Sequence, residues 1–114
     1  MEKLNENDNT TSFHLQLLSK TLDLEKYPFI QLVIIHNITN AEYKDILNLL
    51  HSLEEKYEQQ KEEGLLDFTS LLVQFAGMLN EKLDPTETIF ALYTEGYFPT
   101  LMEVFIEVLQ KEGK

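Results

Sequence analysis

The chain has no cysteine in its 114 residues. That excludes disulfides, thiolate metal sites and thiol nucleophiles. It has no arginine either, so all nine basic residues are lysines. Bidentate recognition of phosphate or guanine relies on the planar guanidinium, and its absence counts against nucleic-acid readout. Positive charge is scarce altogether: 20 acids against nine lysines leave a net charge of −11. Such a field repels polyanions and anionic membranes, so neither a nucleic acid nor a membrane is expected as a partner. The charge first serves solubility. Its sharper readings are attraction to a basic protein, or mimicry of a nucleic acid by carboxylates spaced like phosphates. No apolar run approaches the length of a membrane span. The first residues, Met1 to Asn9, are acidic and asparagine-rich and lack the basic start and apolar stretch of a secretory signal. The cytoplasm is the expected compartment.

Glycine and proline are few, and their positions punctuate the chain at helix-like intervals: Pro28, Gly64, Gly77, Pro85, Gly96, Pro99 and Gly113. Residues 1–10 read as a flexible acidic tail and residues 11–112 as one domain, large enough to bury a core. A first helix is predicted from about Thr11 to Asp23, with Phe13, Leu15, Leu17, Leu18 and Leu22 as its apolar positions. Pro28 suits the first turn of a second helix. The run Phe29 to Ile35 fits a buried strand by pattern alone, but too few other strands exist to form a sheet, so a buried central helix is preferred.

Thr39 and Glu42 have the spacing of a capping box. The helix they open is predicted to reach about Glu63, stopped by Gly64 and roughly 36 Å long. Tyr43, Ile46, Leu50, Leu53 and Tyr57 form a coiled-coil-like seam along it, while its second half, Glu54 to Glu63, is nearly all polar and predicted to project into solvent or flank a partner. Asp67 caps a helix holding Phe68, Leu71, Leu72, Phe75, Met78 and Leu79. Gly77 inside it costs about 1 kcal/mol relative to alanine, and close approach of another helix is the expected reason. Asp84-Pro85-Thr86-Glu87 opens the next helix, with Ile89, Phe90, Leu92 and Tyr93 expected to face inward and Gly96 to end it. Pro99 opens the last helix. Its apolar face is so wide, including Met102, Phe105, Ile106 and Leu109, that contact on more than one side is expected.

Catalytic signals are missing. His14, His36 and His51 have no metalloprotease spacing, no serine has a nucleophile context, and no glycine-rich phosphate loop exists. His36 reads as a helix-end residue. His51 with Glu54 and Glu55 reads as a solvated face rather than a metal site, Glu103 and Glu107 as an exposed stripe, and Glu81 and Glu87 as helix-end charges. Tyr93, Tyr97, Phe98 and Phe105 cluster around a turn and could line a small apolar pocket, although core packing explains them better.

The stretch Phe75-Ala76-Gly77, Leu79-Asn80-Glu81-Lys82-Leu83-Asp84, Glu87 to Tyr93 and Leu101 to Ile106 resembles the YhaI-like family, small acidic bacterial proteins of unknown function. The resemblance is specific over about residues 68–108 and looser over residues 15–65. It implies an all-helical fold and brings no catalytic or ligand residues.

The expectation is therefore an all-α, compact bundle of about five to six helices with one long central or protruding helix. No catalytic residue, cofactor or metal is assigned. The expected role is a non-enzymatic, self-associating interaction or regulatory module, with a dimer favoured. Its interface is expected among Tyr43, Ile46, Leu50, Leu53, Tyr57, Met102, Phe105, Ile106 and Leu109. The alternative is a bundle that binds a small molecule or metal through the Tyr93/Tyr97/Phe98 cluster or the His51 face.

Overall fold

The Thr39 hydroxyl accepts from the Glu42 amide at 3.1 Å, and the Glu42 carboxylate accepts from the Thr39 amide at 2.9 Å. This is the capping box that the sequence predicts, and it opens α3, Asn40–Glu62. Asp84 likewise accepts from the Glu87 amide at 2.8 Å, with Pro85 in the first turn of α5, Pro85–Glu95. Asp67 takes both the amide and the hydroxyl of Thr69 at the start of α4, Thr69–Met78. Those two bonds hold its carboxyl below the usual range. The remaining helices are α1, Glu2–Thr21, α2, Pro28–Ile35, and α6, Pro99–Glu112, with a 3-10 turn at Leu24–Lys26.

The computed structural model describes residues 2–112; Met1, Gly113, Lys114 and the side chains of residues 2–8, 24 and 112 lie outside the described residues. The six helices make the fold all-α, with no strand among the described residues. The preference for a helix over a strand at Phe29 to Ile35 holds.

Three helices end by the same device. A residue with positive φ follows the last turn, and the next amide reaches back to a carbonyl five residues earlier: Ile38 to Val33, Leu65 to Gln60 and Tyr97 to Leu92, each at 2.9 Å. Gly64 and Gly96 are the expected stops. The third is Asn37 at φ 58, whose short polar side chain tolerates the left-handed region.

One core unites α2 to α6. It is built from Phe29 and Leu32 of α2, the α3 seam, Leu71 and Phe75 of α4, Ile89 and Leu92 of α5, and Leu101, Met102 and Phe105 of α6. The turn residues Leu79 and Leu83 close it. α5 packs against both α2 and α6, α3 against α4, and α4 against α6. α3 supplies the long central helix.

Several faces differ from expectation. α5 turns Thr88, Ile89, Ala91 and Leu92 inward and leaves Phe90 and Tyr93 exposed. α2 buries only Phe29 and Leu32, with Ile30, Ile34 and Ile35 facing out. Tyr57 is buried, so the polar half of α3 begins to leave the bundle only beyond it. A side chain added at Gly77 would meet nothing within 4 Å, so no helix approaches there.

α1 differs most. Its helical backbone begins at Glu2, not near Thr11, and every side chain from Asn9 to Asp23 is exposed. The molecule measures 58 × 28 × 23 Å with a radius of gyration of 17.0 Å, against roughly 13 Å for a compact chain of this length. A 20-residue helix reaching beyond the bundle accounts for the excess.

Candidate interaction face

The residues expected at an interface are largely spent within the chain. Ile46, Leu50, Leu53, Tyr57, Met102 and Phe105 are buried in its own core, and Tyr43, Ile106 and Leu109 are half-buried against it. The reason is geometric. A seam of 3-4-3-4 spacing serves a neighbouring helix of the same chain as well as one from another chain, and here α4 is that neighbour.

The aromatic cluster diverges. The Tyr97 ring packs edge-on against Phe29 at 5.2 Å, Phe98 meets His51 at 4.9 Å, and Tyr93 faces solvent. His51 thus contributes its ring to Phe98. Among the described residues, no three or more histidine, aspartate or glutamate side chains gather as metal ligands would.

Sequence reasoning missed a polar node that fixes α2. Pro28 has no amide hydrogen, and Tyr27 provides no side-chain cap. The two remaining orphan donors, the amides of Phe29 and Ile30, both donate to Oε1 of Glu95 at 2.9 and 3.2 Å. Glu95 is the last residue of α5, so it docks the start of α2 onto the end of α5. Beside it, the Tyr97 and Tyr43 hydroxyls lie 3.5 Å apart. That contact, with burial and the nearby Glu95 charge, pushes the Tyr97 phenol well above its ordinary range and keeps it protonated. A second clasp holds the other end of α2: the Lys82 ammonium donates to Glu42 at 2.8 Å and to the Asn37 carbonyl at 3.1 Å. The Lys82 bond, aided by the Thr39 amide, lowers the Glu42 carboxyl to about 2.

With α2 held at both ends, its outer side becomes a fixed surface. A cleft between α1 and α2 is lined by Ser12, Leu15, Gln16, Ser19, Gln31, Ile34 and Ile35. A second groove, between α2 and α5, shares Gln31 and Ile35, continues to Phe90 and Thr94, and is also lined by Glu25 and Glu87. The two grooves meet along Gln31 and Ile35, and the exposed Leu18 and Leu22 lie on the same side of α1 as Leu15. Ile35 is 63% exposed and Leu18 52%. Scattered exposed leucines are ordinary, whereas exposed apolar side chains gathered along adjoining grooves have the pattern of an interaction site.

One sequence signal marks the α1 and α2 parts of this face. No aspartate or glutamate occurs from Asn9 to Leu22, nor from Tyr27 to Ala41. In a chain with 20 acids, those two stretches contain α2 and the described side chains of α1. A scan for missing charge, rather than for apolar spacing, would have found it.

A family model described as protein of unknown function (DUF1878) matches residues 1–110. The chain belongs to this family. The match takes in α1 together with the bundle. Among the described residues, no helix is long and apolar enough to cross a membrane.

Proposed function

We propose that this member of the DUF1878 family is a non-enzymatic, cytoplasmic module that works by self-association, through the face formed by α1, α2 and α5. Within the family we group it with the YhaI-like proteins, on the residues between Phe75 and Ile106 that carry that resemblance. Its regulatory or scaffolding output comes from the assembled form, a homodimer, and involves neither nucleic acid nor membrane.

The observation that carries this reading is the coincidence of exposed apolar side chains with the two acid-free stretches. Two copies of a chain with charge −11 repel at long range. They associate where that repulsion is locally weakest and apolar area is largest. Side chains such as Leu15, Leu18, Leu22, Ile34, Ile35 and Phe90 are about half exposed. Together with their neighbours they leave on the order of 500 Å² of apolar surface per chain, or about 1,000 Å² for a pair, which reaches the threshold of a specific interface. The outward turn of Ile34 and Ile35 has no internal explanation, since the α2 core contacts are made by Phe29 and Leu32.

Light scattering on size-exclusion eluates tests this over roughly 1–100 μM, the range in which a marginal interface of this size is expected to associate. A dimer is expected, tighter at high salt because screening removes the repulsion between two acidic chains. A monomer throughout that range, at low and high salt, would overturn the proposal.

A further inference from the structure

We infer that two copies pair through their α1 helices, side by side and antiparallel, along the stripe Thr11, Leu15, Leu18 and Leu22. This rests on the self-association reading above and adds the contact and its direction.

α1 needs a neighbour that its own chain does not supply. It is helical over 20 residues, yet none of its described side chains is buried. Its sequence from Asn5 to Ser12, Asn-Glu-Asn-Asp-Asn-Thr-Thr-Ser, consists mostly of weak helix formers. A helix of this length and composition is marginal in water without lateral packing. The side that approaches α2 offers mainly Ser12, Gln16 and Ser19, with Leu15 at its border. Thr11, Leu15, Leu18 and Leu22 follow a 4-3-4 spacing and so share one face, the pattern of a two-helix seam. Leu18 and Leu22 do not line the cleft against α2, and both are more than half exposed. The seam spans roughly 16 Å.

The occupant is a second copy because the stripe is self-complementary: it is apolar, carries no acid, and needs no partner group that the chain lacks. Direction follows from charge. In sequence, Glu2, Glu6 and Asp8 precede the stripe, Asn9 to Leu22 holds no acid, and Asp23 and Glu25 follow it. A parallel pair would set the two acidic starts side by side. An antiparallel pair separates the two starts, sets each against an end with only two acids, Asp23 and Glu25, and opposes the helix dipoles. A two-fold axis between Leu15 and Leu18 then sets Leu15 against the partner's Leu18, and Thr11 against the partner's Leu22.

The absence of native cysteine makes cross-linking a clean test in the full-length chain. Thr11→Cys and Leu22→Cys are made separately, then oxidised alone and as an equimolar mixture. The mixture is expected to cross-link at least about tenfold faster than either variant alone, as disulfide geometry tolerates only close pairs. In parallel, Leu18→Asp is expected to weaken dimerisation at least about tenfold, as a charge placed in a desolvated contact does, while thermal unfolding of the bundle stays unchanged. Cysteine variants that cross-link alone as fast as in the mixture would show parallel pairing and overturn the inference. A wild-type dimer that persists in Leu18→Asp, with no cross-link in the mixture, would place the contact on α2 and α5. That result overturns the inference but leaves self-association standing. A monomeric wild type overturns both.

Discussion

Replacing Glu95 with alanine removes the only side-chain acceptor, among the described residues, for the amides that open α2. The structure sets the magnitude. Two backbone donors, Phe29 and Ile30, share one carboxylate oxygen at 2.9 and 3.2 Å. Hydrogen bonds to a charged group contribute about 1.5–3 kcal/mol, and loss of a helix cap costs about 0.5–2 kcal/mol. The two descriptions cover the same contact, so they are not summed. Partial exposure at Ile30 lets water take over one amide. The expected loss for Glu95→Ala is about 2 kcal/mol. Glu95→Gln keeps an oxygen acceptor but no charge, and about 1 kcal/mol is expected. In a domain of this size each kcal/mol lowers Tm by roughly 4 °C. Urea unfolding followed by far-ultraviolet circular dichroism gives both numbers, with the m-value as a check that the unfolded state is unchanged. The order wild type, glutamine, alanine is the signature of a cap. If Glu95→Ala lies within about 0.5 kcal/mol of wild type, the range of ordinary surface substitutions, then Glu95 does not dock α2, and the account of how the outer face is held rigid fails.

Three further outcomes follow from single observations. Gly77→Ala is expected to stabilise the protein by about 0.5–1 kcal/mol, because the site is helical, exposed and open; destabilisation in urea would show that a helix does approach there. Thr88 is fully buried with no partner for its hydroxyl among the described residues, so Thr88→Val is expected to be neutral or stabilising by up to about 1 kcal/mol, whereas a loss above that would reveal a hidden acceptor. The Glu42 carboxyl falls from 4.5 to about 2, so its contribution is complete above about pH 5 and is lost as pH falls through about 2. Stability measured from pH 5 to pH 2 should therefore drop less steeply in Lys82→Met than in wild type, and parallel pH profiles would refute the clasp.

What could be read directly from the sequence was coded within a few residues. Thr39 with Glu42, and Asp84 with Pro85 and Glu87, satisfy amides three residues away, so composition and spacing suffice. Gly64 and Gly96 supply a backbone region that other residues avoid. The illegible parts lie where the partner is remote. Glu95 and Phe29 are 66 positions apart, and nothing near either one announces the bond. Gly77 was misread for a related reason. A glycine in a helix signals only that a side chain is missing, not whether anything fills its place.

The seams of α1 and α3 show why apolar spacing alone could not locate the interaction face. Both follow heptad-like spacing, Thr11-Leu15-Leu18-Leu22 in one and Tyr43-Ile46-Leu50-Leu53-Tyr57 in the other. One lies wholly exposed, and the other is mostly buried inside the chain. Spacing specifies that a helix needs a neighbour but is silent on whose chain provides it. Charge supplies the missing distinction. The α3 seam is bordered by Asp45, Glu54, Glu55 and Glu58, the acids that keep the outer side of a buried-seam helix in water. The α1 stripe has acids only beyond its ends, at Asp8 and Asp23. A strongly acidic protein that leaves the exposed stretch from Asn9 to Leu22 without acids has left a surface whose solvation is poor and whose repulsion toward a second copy is small. Both properties favour contact, and neither contributes to the stability of the isolated chain.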